Sequence, residues 1–122
     1  VFAGDSIPPH MSTREAFALY LDRLAEGGTI AIHITNWHLA LSPMVKAAAK
    51  AFNLHLQGYG CWADKWSIGS YWTFLTRERA DFFMEGKHGR VDYAKIKDIP
   101  LMTDEMHSLL PYISMNPMPD FK

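Results

Sequence analysis

The sequence predicts an α/β domain, with parallel strands joined by crossover helices and a terminal antiparallel strand. Two observations lead there. Segments with apolar residues at helical spacing alternate with short β-branched runs, in the order strand, helix, strand, helix, strand, strand. The run Thr29-Ile30-Ala31-Ile32-His33-Ile34 is almost wholly apolar, the pattern of a strand covered on both faces in a parallel sheet. At 122 residues the chain can build one such core and not two, so residues 1–122 are read as a single domain.

Each element has its own signal. Residues 1–4 read as a strand end that runs into the loop Asp5-Ser6-Ile7-Pro8-Pro9-His10, where paired prolines prevent either helix or ladder from continuing. Ser12-Thr13-Arg14-Glu15 has the spacing of a capping box. The helix it starts buries Phe17, Tyr20, Leu21 and Leu24 and is stopped by Gly27-Gly28. After the strand at 29–34, Ser42-Pro43 starts a second helix with Met44, Val45, Ala48 and Phe52 as its apolar stripe and Asn53 as its stop. Residues 54–59 and 70–76 read as strands, with a turn or long hairpin loop over 58–69. A short helix is expected over 77–84, residues 86–97 are polar and glycine-bearing, and a helix cap at Thr103-Asp104-Glu105 and an irregular tail over about 112–122 are expected after them.

Composition narrows the function classes. Forty-eight per cent of residues are hydrophobic, and 12 Lys and Arg nearly cancel 13 Asp and Glu. Neither disorder, a nucleic-acid partner nor an anionic membrane surface is indicated. The lone cysteine, Cys61, excludes an intrachain disulfide and a thiolate cluster built from this chain and fits a reducing, cytoplasmic setting. No apolar run is long enough to cross a bilayer, and no leader pattern opens the chain. Because the first residue, Val1, opens directly on a strand end, the chain is expected to be a fragment.

Three blocks carry a family resemblance. Asp5-Ser6-Ile7-Pro8-Pro9-His10-Met11-Ser12-Thr13-Arg14-Glu15-Ala16-Phe17, then Leu24-x-x-Gly27-Gly28-Thr29-Ile30-Ala31-Ile32-His33-Ile34-Thr35-Asn36, resembles spermidine synthase-like proteins of bacteria, in which the domain is sometimes carried behind a transporter-like membrane segment. Leu101-Met102-Thr103-Asp104-Glu105-Met106-His107-Ser108-Leu109-Leu110-Pro111 resembles them as well. The resemblance implies the C-terminal half of a Rossmann-like, S-adenosylmethionine-dependent transferase fold. It also implies transfer of an aminopropyl group from decarboxylated S-adenosylmethionine to putrescine by the complete domain. No cofactor is expected on this chain, because no Gly-x-Gly-x-x-Gly turn leading into a helix occurs. The complete domain would take S-adenosylmethionine or its decarboxylated form, with a small molecule as partner substrate.

The same resemblance assigns roles. In the synthases an Asp-x-x-Asp pair ends a strand, its first member the base. That first position would fall just before Val1, and Asp5 takes the place of the substrate-holding member. Where the synthases carry Gln-x-Glu, this chain has His33-Ile34-Thr35, so an acid that would pair with a polyamine ammonium has gone. Their Tyr-Pro-x-Gly appears here as Trp66-Ser67-Ile68-Gly69.

Read residue by residue, Asp5 either holds substrate or satisfies loop N–H groups. His33 either carries a proton at the end of its strand or bonds a neighbouring carbonyl. Asn36 and Trp37 either border a ligand or serve as turn former and core lid. Trp62, Trp66, Tyr71 and Trp72 either wall a pocket or pack the sheet, with Trp66 the pocket candidate. No metal motif is present, and Cys61 has no neighbour that would activate it. Two alternatives stand beside aminopropyl transfer. One is methyl transfer to a small molecule, and the other is a non-catalytic module that pairs with a second copy through an exposed sheet edge.

Overall fold

A computed structural model describes residues 8–36, 38–62, 65, 69–80, 82, 88–106 and 108–113. Helix α1 (Arg14–Arg23) follows a 3₁₀ turn at Pro9–Met11. Its cap is Thr13 rather than Ser12, for the Thr13 hydroxyl accepts from Ala16 N at 3.3 Å. The Glu15 carboxylate does not close a box on its own helix; it accepts from Asp104 N at 3.0 Å. Thr13 Oγ1 in turn donates to Asp104 Oδ1 at 2.6 Å, and Arg14 N donates to Met102 O at 2.7 Å. The start of α1 is thus capped from a segment remote in sequence. Past α1, Gly27 adopts φ +69°, a left-handed turn that costs glycine little and that feeds strand β1 (Thr29–His33).

Helix α2 (Ser42–Ala51) has Leu41 at its cap and Pro43 in its first turn, where a missing N–H costs nothing. It ends at Asn53, whose φ of +51° makes it the left-handed stop. Strands β2 (His55–Cys61) and β3 (Ser70–Thr76) follow, then β4 (His88–Arg90). β4 lies in the polar, glycine-bearing stretch for which no element was expected. Residues 77–80 hold a bend at 77–78 and not the start of a helix, with the Arg77 guanidinium donating to Leu21 O and Leu24 O. The segment read as a helix cap at Thr103 is a single turn, closed by Thr103 N to Met106 O and by Met106 N to Thr103 Oγ1.

The sheet overturns the predicted fold class. Its strand order is β1-β3-β2-β4, and all three ladders are antiparallel. β1 and β2 run in the same direction with α2 between them in the chain, but β3 fills the gap and is hydrogen-bonded to both. The Rossmann-like expectation of parallel strands with crossover helices on both faces is therefore wrong for these residues. Its error came from reading β1 as a strand buried on both faces: among the described residues β1 is at the sheet edge and Ala31 is exposed. An apolar run reports that a strand packs and not which strand lies beside it.

Alternation in β3 sorts the two faces. Tyr71, Thr73 and Leu75 are buried and join Phe17 of α1 and Met44, Val45, Ala48 and Ala49 of α2 in the core, with Ile30, Ile32 and Leu56 packed against it. Trp72 and Phe74 point to the opposite face. There the Trp72 ring meets His33 at 4.8 Å, and Phe74 stacks on Phe82 at 4.9 Å. Among the described residues no helix is long and apolar enough to cross a membrane.

Candidate functional site

The end of the sheet named by the sequence is where β1 and β2 finish and β3 begins, so His33 lies opposite Trp72 and Cys61 opposite Ser70. His33 is half-buried, its ring tilted 37° against the Trp72 indole. Beyond it Ile34 N donates to Tyr71 O at 2.8 Å, and Thr35 Oγ1 accepts from Tyr71 N at 2.8 Å. Asn36 is only 5% exposed, and its Oδ1 accepts from His38 N at 2.9 Å and from Leu39 N at 2.8 Å. That pattern is an Asx turn, so this contact of Asn36 is with its own loop. Asp5, Trp37 and Trp66 lie outside the described residues.

The aromatic cluster expected here is divided. Tyr71 belongs to the core, Trp72 to the opposite face with His33, and Trp62 is exposed. The Thr35 hydroxyl serves the β3 backbone. Among the described residues no three His, Cys, Asp or Glu side chains gather to hold a metal ion.

A second hollow opens at the other end of the sheet, where β2 begins and β3 ends. Its volume is about 320 Å³, and Arg79, Arg90, His55, Gln57, Val91 and Tyr93 line it. Gly58 makes the packing behind it possible, because a Cβ there would come within 2.8 Å of Tyr93 Cε2 and 3.0 Å of Val91 Cβ. The Tyr93 hydroxyl pairs with that of Thr73. Burial pushes the phenol up to about 12, with the Thr73 bond working in the opposite direction. Gln57 spans the floor, its Nε2 donating to Ala80 O and its Oε1 accepting from Phe82 N at 3.3 Å. Nothing in the spacing of Arg79 and Arg90 announces this hollow. The available signal was Gly58 inside a strand, a mark of close approach.

A third hollow, about 560 Å³, lies beside α2 between Arg14, Lys50, Asp98 and Leu101. Asp98 meets Lys50 at 2.8 Å and Lys46 at 3.1 Å. Hydrogen bonds from Lys50 and then Lys46 hold its carboxyl below the usual range. The two lysines and Asp98 answer one another.

Comparison of the chain with protein-family models, with curated proteins and with solved structures finds no match.

Proposed function

We propose that the chain is the acceptor-side part of a spermidine synthase-like transferase and that it transfers nothing by itself. The observation that supports this reading is the union of the resembling blocks. Residues 12–17 and 101–111 are far apart in sequence, yet Arg14 N to Met102 O, Thr13 Oγ1 to Asp104 Oδ1 and Asp104 N to Glu15 Oε2 join them. Two of the resembling blocks therefore meet in the fold, which supports the reading.

In this reading His33 gives or takes a proton at the acceptor, with Trp72 holding the ring. Asn36 shapes the loop beside it. Neither helix opens from a glycine turn, since Thr13 and Leu41 stand at the two caps. The described residues do not fit the donor nucleotide, and no step is assigned to it.

One observation favours methyl transfer over aminopropyl transfer as a second reading. The Thr35 hydroxyl is engaged by Tyr71 N where a carboxylate would meet a diamine, and a buried ammonium needs such a partner. Calorimetric titration of the chain, and of the complete domain to which the resemblance assigns it, tests both readings with S-adenosylmethionine, its decarboxylated form and methylthioadenosine. Binding by the complete domain alone supports the proposal, and the preferred donor selects between the two transfers. Silence from both proteins sinks the transferase reading.

A further inference from the structure

We propose that the third hollow, beside α2, binds a small carboxylic acid with an apolar body, its carboxylate held by the Arg14 guanidinium. Three charged residues line this hollow, Arg14, Lys50 and Asp98. Asp98 is spent on lysines: it meets Lys50 at 2.8 Å and Lys46 at 3.1 Å, and Lys46 also donates to Ile96 O at 2.5 Å. Arg14 is left over. Among the described residues its guanidinium has neither a hydrogen bond nor an ion pair, and its contact is with the Phe52 ring, whose centroid lies 5.7 Å from the guanidinium carbon. Glu15, the acid beside it in sequence, gives its carboxylate to Asp104 N at 3.0 Å. The lining residues and the two residues on either side of each belong to the described part of the chain.

The cation is also positioned. Arg14 is the first residue of α1, and its backbone N donates to Met102 O at 2.7 Å, which ties the root of the side chain to the segment that lines the hollow. An aromatic face holds a guanidinium by its charge and leaves the N–H groups to other partners. Those groups match the two oxygens of a carboxylate and stay charged at any working pH. Lys50, which shares one carboxylate with Lys46, adds to the attraction. Ile99 and Leu101, packed against the core, and the buried Ala47 supply an apolar floor, and Ala51, one turn on from Ala47, is too short to close it. An apolar hollow with a few placed polar groups is the usual make-up of a small-molecule site. Asp98 at its rim repels a dianion more than a monoanion, which favours a carboxylate over a phosphate. The hollow lies on the helix-bearing side of the sheet, away from His33 and Trp72, and the inference stands apart from the transferase reading.

The test is an NMR titration of the whole chain at low ionic strength with phenylacetate as probe, beside phenylacetamide and phenyl phosphate. Phenylacetate should saturate, shift the amides of 14, 47, 50–51, 98–99 and 101, and release as salt is added. R14Q should weaken binding roughly tenfold or more, since it removes a charged, two-point contact; Arg14 is exposed, and an unfolding midpoint near that of the parent checks that the fold is kept. R14K keeps the charge but loses the fork and should fall between the two. A51L fills the hollow from an exposed helical position that accepts leucine, and should abolish binding with Arg14 still in place. Shifts centred elsewhere, no saturation, or unchanged affinity in R14Q or A51L would overturn the site. Phenylacetamide binding as tightly as phenylacetate would overturn the role of Arg14, and tighter binding of phenyl phosphate would overturn the assignment to a carboxylate.

Discussion

The two ends of the sheet use their polar groups in opposite ways. At the His33 end, Thr35 Oγ1 and Asn36 Oδ1 accept from backbone N–H groups of Tyr71, His38 and Leu39, and the loop is built around them. At the Arg79 end, Gln57 and Tyr93 are bound inside the protein, and Arg79, Arg90 and His55 line a hollow beside them. Polar residues clustered at a strand end are therefore no sign of a ligand site until their partners are counted. Groups whose hydrogen bonds are spent on backbone make structure.

Four substitutions press on this contrast, beginning with the largest expected effect. Asn36→Ala leaves the buried Leu39 N–H without its acceptor, at about 1–3 kcal/mol, while His38 is exposed and its N–H can turn to water. Thermal unfolding should fall by roughly 10 °C, taking about 4–8 °C per kcal/mol for a domain near this size. An unchanged midpoint would mean that Asn36 does not hold the loop, and the His33 end would reopen as a ligand site.

Gly58→Ala acts at the other end. The added methyl meets the Tyr93 ring and Val91, an overpacking that costs about 1–3 kcal/mol and pushes on the wall of the basic hollow. Stability measured by urea unfolding should drop, and the Tyr93 and Val91 amide shifts should move while those of Thr35 and Asn36 stay put. Movement at both ends alike would show that the two regions are one mechanical unit.

Tyr112 is the exception on the His33 side. Its carbonyl accepts from Ala40 N at 2.7 Å, but it is 2% exposed and its hydroxyl has no hydrogen-bond partner among the described residues. Burial raises its pKa accordingly. Tyr112→Phe removes an unsatisfied group and should raise stability by up to about 1 kcal/mol. A loss of stability in calorimetry would reveal a partner for the hydroxyl and complete the pattern of spent polar groups.

The smallest effect belongs to Asp98. Its folded pKa lies below the ordinary 3.8, so its contribution is present above that value and fades as pH falls through the lower, folded one. The pair is largely exposed, and exposed ion pairs contribute little. Asp98→Asn should leave the midpoint at pH 7 within a few degrees and flatten only the acid limb below about pH 4.

Much of the local structure was legible in advance. β3 occupies residues 70–76 as read, α2 starts at Ser42-Pro43 and ends at a left-handed Asn53, and α1 begins at the Ser-Thr pair. These depend on short-range physics: missing N–H groups, left-handed φ angles and the period of apolar residues. What failed was long-range. Glu15 has the spacing of a capping box yet binds the Asp104 backbone, since a closer-fitting partner arrived from the far end of the chain. β4 drew no strand expectation because a three-residue strand has no periodicity to detect. Of the five candidate site residues, His33 and Asn36 do share one strand end, but their hydrogen bonds and ring contact, not their order in the chain, show what each does.

By itself the sequence determined where α1, α2 and β1 to β3 form, the apolar stripe of α2, and the near-neutral charge that disfavours nucleic acid as a partner. Only the tertiary structure decided that β3 lies between β1 and β2, making every ladder antiparallel. Only it brought Arg79 and Arg90 to one hollow while engaging Thr35 and Asn36 with backbone. The reason is common to both. Backbone conformation and side-chain period are set by neighbours a few residues away, whereas strand adjacency and the fate of a polar group depend on which distant surface reaches it first.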